Sequence, residues 1–141
     1  MTNKNRILSI VILVAVTVLS LMSGKIGVDL DFGEETLTVS VSGFEKEIPY
    51  AGITSLELAE LPDTGTLLEG GDKRGLQYGT WENDTWGEYS LCITSKVSQA
   101  LVLTMEDGSV FVLNYQDQDN TQALFEMFTD LLHSKGYLSE S

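Results

Sequence analysis

His133 and Cys92 are the only histidine and the only cysteine in the chain, and they limit which side-chain chemistry is open to it. One thiol makes neither an internal disulfide nor a thiolate zinc cluster, and one imidazole leaves zinc without further nitrogen ligands. Cys92 lies in an apolar, strand-like run, where a free cysteine behaves as a small hydrophobe. His133 stands near the end of the last amphipathic segment, where a positive imidazole suits a helix C-terminus. Nucleophilic catalysis would need a serine and an orienting acid beside it, and no Gly-x-Ser-x-Gly elbow occurs.

Oxygen ligands are plentiful but poorly spaced for a metal. Asp117-Gln118-Asp119-Asn120-Thr121 alternates them as calcium loops do, yet lacks the glycine and the distant glutamate of an EF-hand, and helix capping accounts for it better. Glu82-Asn83-Asp84 reads as an acidic turn. Gly70-Gly71-Asp72-Lys73-Arg74-Gly75 has the glycines of a phosphate loop without its Gly-Lys-Ser/Thr ending, and it leads toward strand. No cofactor is expected. Lys73-Arg74 is the one adjacent basic pair after the N-terminal segment, and Tyr78, Trp81 and Trp86 follow closely. Arginine and aromatic residues are over-represented in interface hot spots, so these five residues form the candidate binding site, with core anchoring as the equal alternative for the two tryptophans.

The elements that must position these residues follow from period and turn chemistry. After Lys25 the pattern is short alternating runs between turn residues, the mark of antiparallel sheet. Val28 to Phe32 and Thr36 to Val41 flank a turn at Gly33-Glu34-Glu35. Ser42-Gly43 turns the chain into Phe44 to Tyr50, where Pro49 marks an edge or a strand end, and Ile53 to Leu61 forms a fourth strand. Pro62 to Gly79 is rich in glycine and other turn formers and is expected to be the longest loop. Strands are expected at Glu88 to Thr94, Ala100 to Met105 and Ser109 to Tyr115, the last two joined through Glu106-Asp107-Gly108. Thr121 to Lys135 has helical spacing at Leu124, Phe128, Leu131 and Leu132; Asp119 with Gln122 is its expected cap and Gly136 its stop, and the helix should close over the sheet.

Charge and hydropathy divide the chain. Lys25 to Ser141 carries 6 basic and 21 acidic residues, a net −15, which repels phosphate backbones and anionic headgroups and argues against nucleic-acid binding. Residues 7–24, ILSIVILVAVTVLSLMSG, hold no charge, and eighteen helical residues extend about 27 Å, close to a bilayer's hydrocarbon thickness. Leu21 and Met22 stand where a cleavage site wants small residues, so the segment reads as an uncleaved signal-anchor helix embedded in the lipid bilayer. A secreted acidic domain after signal cleavage is the alternative. Lys4 and Arg6 before the span place the N-terminus in the cytoplasm and the domain outside the cell membrane. The organisation is a tail over 1–6, the anchor over 7–24 and one β domain over 25–141.

Six or seven short strands followed by one helix is also the order of the pleckstrin-homology fold. Ile48-Pro49-Tyr50-Ala51-Gly52-Ile53 resembles the "I-P-Y-x-x-I" strand junction common in bacterial pleckstrin-homology-like domains. Arg74-Gly75-Leu76-Gln77-Tyr78-Gly79-Thr80-Trp81 with Gly87-Glu88-Tyr89-Ser90-Leu91 resembles the "R-x-G-x-x-x-G-x-aromatic … G-x-Y-x-L" core of one membrane-associated family, and Leu113-Asn114-Tyr115 is similar to its "I-N" ending. The resemblance implies a mainly β domain, a bent antiparallel sandwich or partly open barrel with one C-terminal α-helix. Lipid-binding members hold phosphoinositides on a basic first hairpin. Here that hairpin reads Asp31-Phe32-Gly33-Glu34-Glu35, which argues against phosphoinositide binding. The resulting expectation is a membrane-tethered, non-catalytic binding or scaffolding module with a protein or peptide partner. A hydrolase is the lesser alternative, since carboxylates abound here without an arranged nucleophile or base.

Overall fold

The computed structural model describes residues 28–137, so the N-terminal tail and the expected anchor over 7–24 lie outside the described residues. The described chain is mainly β, with nine strands in two sheets and one C-terminal helix. Among the described residues no helix is long and apolar enough to cross a membrane. By their contacts the residues form two compact units, with 28–51 and 127–137 in the first and 52–126 in the second.

The first unit contains a three-stranded antiparallel sheet in the order β1 (Val28–Phe32), β2 (Thr36–Val41), β3 (Phe44–Pro49). Period-2 alternation is its organising feature: Leu37, Val39 and Val41 are buried while Thr36, Thr38 and Ser40 are half-buried on the opposite face. Register follows from the turns. Ser42 and Gly43 both take positive φ, 47° and 87°, the two-residue hairpin that pairs Val41 with Phe44. The chain then makes a short 3-10 turn over Tyr50–Gly52. Tyr50 is fully buried and donates its hydroxyl to the Gly33 carbonyl at 2.8 Å; that burial, and then the charge of Asp31, hold the phenol well above its ordinary pKa. Phe128, from the second half of helix α1 (Gln118–Ser134), meets Phe32 edge-on at 5.3 Å and Tyr50 at 6.1 Å.

The helix differs from expectation at its start. It begins three residues early, because Asp117 rather than Asp119 is the cap: Asp117 Oδ1 accepts from the Asn120 amide at 2.8 Å. Gln122 instead reaches along the helix to Glu126 at 3.3 Å. The far end is as the glycine implied. Gly136 has φ 79°, its amide donates to His133 O and that of Tyr137 to Leu132 O, the paired bonds of a Schellman motif.

The second unit holds a six-stranded sheet in the order β4 (Ile53–Glu60), β8 (Gln99–Met105), β9 (Val110–Leu113), β7 (Gly87–Thr94), β6 (Leu76–Asn83), β5 (Thr66–Lys73). It is antiparallel except where β7 runs parallel to β9, an exception to the expected all-antiparallel pairing. Successive residues of its central strands are buried, Leu91-Cys92-Ile93, Ala100 to Leu103 and Phe111-Val112-Leu113, so both faces are covered. On one face Trp81, Tyr89, Leu91, Ile93, Val102 and Val112 belong to a single apolar cluster.

Asn114, 3% exposed, ties the β7–β8 connection to the end of β9. Its Oδ1 accepts from the Thr94 amide at 2.7 Å, and Nδ2 faces the carbonyls of Thr94, Val97 and Gln99 at 3.2–3.3 Å. The similarity of Leu113-Asn114-Tyr115 to a family ending thus falls on a residue with a structural task of its own.

The expected loop over Pro62 to Gly79 is the principal correction. Most of it is strand, β5 and the start of β6. Gly70 and Gly79 face one another with φ of 133° and 108°, and a Cβ on Gly70 would lie 2.7 Å from Gly79 Cα. The Tyr78 ring covers Gly71 so closely that a Cβ there would overlap it. These glycines are demanded by close approach within the sheet, where a residue count reads them as loop.

Candidate functional site

The five residues singled out by composition do not converge. Lys73 is the last residue of β5 and Arg74 begins the turn to β6; both are exposed. Arg74 and Gly75 have φ of 59° and 77°, a two-residue hairpin that closes Lys73 against Leu76. Tyr78 and Trp81 are core residues, 6% and 2% exposed, and Trp81 Nε1 donates to Tyr78 O at 3.1 Å. Period-2 alternation along a strand buried on both faces places them there, so neither offers a contact surface. Trp86 is half-buried in the turn at the other end of β6, its amide bonded to Asn83 Oδ1 at 2.8 Å and its ring 5.0 Å from that of Tyr89. The seven rises between the first and last residues of β6, at about 3.3 Å each, separate the two turns by roughly 23 Å. The basic pair and Trp86 therefore cannot serve one small ligand together.

The Trp86 end has more relief. A cleft of about 640 Å³ is lined there by Asp63, Thr66, Glu82, Asn83, Asp84 and Thr85 among others. Its wall is fixed by Asn83, whose Nδ2 donates to Asp63 O at 2.9 Å, and by Asp63 Oδ1, which accepts from the Gly65 amide at 2.9 Å. Tyr89 anchors the same segment by donating its hydroxyl to Thr64 O at 2.8 Å. Burial, and then the charge of Asp63, push this phenol up to about 12, so it remains a donor at neutral pH. Among the described residues no three His, Cys, Asp or Glu side chains are grouped to hold a metal ion. Cys92 is buried, and desolvation pushes its thiol up to about 12, leaving it protonated and unreactive.

Composition did not single out Leu67 and Leu68, 38% and 49% exposed, the large hydrophobic side chains most open to water among the described residues. They lie on β5, the edge strand next to the cleft. Leu67 pairs with Trp81 at the open edge of the sheet and Glu69 with Thr80, leaving Leu68 as the extra residue of a β-bulge. A doubled leucine between polar residues was a signal in the sequence, but within an assumed loop it carried no direction.

Compared with family models, with curated proteins and with solved structures, the chain matches none. The likeness to pleckstrin-homology-like domains rests on the order of elements and on short motifs, and several of the motif residues have structural tasks here: Tyr50 is bonded to Gly33, Arg74-Gly75 form the turn, and Asn114 ties down the β7–β8 connection. Function must be argued from the surface itself.

Proposed function

We propose that this chain is a membrane-tethered, non-catalytic binding module of pleckstrin-homology-like build, held by residues 7–24 and recognising a protein or peptide with its second unit. The observation that carries the reading is the exposure of Leu67 and Leu68 on an edge strand, where burial of either side chain would be expected to stabilise the sheet. Two adjacent bulky side chains in water, beside a fixed cleft, are the features of a recognition surface. The buried, protonated Cys92 offers no nucleophile for the competing hydrolase reading. The acidic first hairpin and net charge disfavour phosphate-bearing ligands.

The test is a crosslinking pull-down from native membranes that compares the full chain with a Leu67→Ser, Leu68→Ser variant matched in melting temperature. A protein retained by the wild type and lost from the variant supports a binding module working through β5. Equal retention moves the surface elsewhere, and no retained protein in either removes the reading. Protease added to intact cells checks the orientation: digestion of the domain is expected, and its protection would overturn an external position.

A further inference from the structure

The bulge at Leu68 decides what kind of partner the β5 edge accepts. In an unbroken strand, adjacent residues point to opposite faces, so one of Leu67 and Leu68 would share the face of the buried Trp81 cluster. Leu67, paired directly with Trp81, takes that face at the open edge of the sheet, while Leu68 is the extra, unpaired residue of the bulge, and both side chains stay open to water. The same irregularity, followed by Gly70 at φ 133°, interrupts the row of edge amides and carbonyls that a continuous added strand would need. Recognition at this edge must then come from side chains.

The surroundings state the charge of what would cover them. Glu69 follows the leucines directly, and Asp63, Glu82 and Asp84 line the adjoining cleft; all four are exposed. Lys73 and Arg74 sit at the far end of β5. An acidic segment or an anionic headgroup meets repulsion beside Leu67 and Leu68, whereas lysine or arginine flanking an apolar side chain meets complementary charge. Resting on the binding-module reading above, we propose that Leu67 and Leu68 dock bulky apolar side chains of a Lys/Arg-rich segment of another protein, with Glu69, Glu82, Asp63 and Asp84 pairing its cations.

Two measurements on the full chain test this, the first in zwitterionic nanodiscs with empty nanodiscs as baseline and the second in native membranes. In the first, labelled peptides of alternating Leu-Lys, Leu-Glu and Ser-Lys are titrated by fluorescence anisotropy. The Leu-Lys peptide is expected to bind at least tenfold more tightly than either of the others, and Leu67→Ser with Leu68→Ser to remove that advantage while the variant melts as the wild type does. Equal binding of Leu-Lys and Ser-Lys, or an unaffected double variant, would reduce the effect to general attraction by an acidic surface and overturn the proposal. In the second, a photo-crosslinking residue replaces Leu68 in native membranes. Adducts with a basic, apolar segment of another protein are expected. Adducts with a neutral or acidic protein segment overturn the partner chemistry and leave the binding-module reading standing, whereas adducts with lipid or a second copy of this chain alone overturn both.

Discussion

Asn114→Ala should destabilise the folded domain by about 3 kcal/mol, a large effect for one polar side chain. The side chain is 3% exposed and links four backbone groups: the Thr94 amide at 2.7 Å and the carbonyls of Thr94, Val97 and Gln99 at 3.2–3.3 Å. Nδ2 has two hydrogens for three carbonyls, so three hydrogen bonds' worth is lost at roughly 1 kcal/mol each. The Thr94 carbonyl keeps a second donor, the Val97 amide at 3.4 Å, which limits the loss. For a folded region of this size the fall in Tm is about 12 °C, at some 4 °C per kcal/mol. Urea unfolding followed by circular dichroism, with an unchanged m value, measures it. Asn114→Asp separates hydrogen bonding from packing. It keeps the acceptor for Thr94 but turns a second oxygen toward the carbonyls, so its folded pKa rises above the unfolded value of about 3.9. The penalty is then full above the folded pKa and relieved as pH falls through it, and the gap to wild type should narrow between neutral pH and about pH 4. A loss under about 1 kcal/mol for Asn114→Ala, or a gap for Asn114→Asp that does not change with pH, would refute this account.

Gly79→Ala should cost more than about 3 kcal/mol, since the residue has φ 108° and its Cβ would overlap the Glu69 carbonyl oxygen; Gly108→Ala, at φ 89° in open space, should cost only about 1 kcal/mol in thermal melts. Asp117→Ala should lose about 1 kcal/mol of stability, whereas Asp119→Ala should lose a few tenths, because only the former carboxylate accepts from Asn120. Cys92 should resist a water-soluble thiol reagent at pH 8 until the domain unfolds in denaturant, and rapid modification without unfolding would contradict its burial. Burial raises its pKa from 9.0 to about 12, so the contribution of its neutral form to stability is whole below pH 9 and is lost as pH rises from there toward 12.

Local chemistry was enough for much of the fold. Alternation over Val28 to Val41, the Ser42-Gly43 turn, the apolar runs of β7 to β9 and the glycine stop at Gly136 are all consequences of short-range periodicity and backbone freedom, and the strands and helix lie close to where those rules place them. The charge imbalance and the solitary Cys92 and His133 are likewise properties of the chain before it folds. Tertiary structure decided what non-local approach decides. Gly70, Gly71 and Gly79 signal a loop when read singly, and only the meeting of β5 with β6, which leaves no room for a Cβ, makes them strand residues. Likewise, pairing against the sheet, absent from any sequence window, sends Tyr78 and Trp81 inward and leaves Leu67 at the sheet edge and Leu68, the extra residue of the bulge, in water.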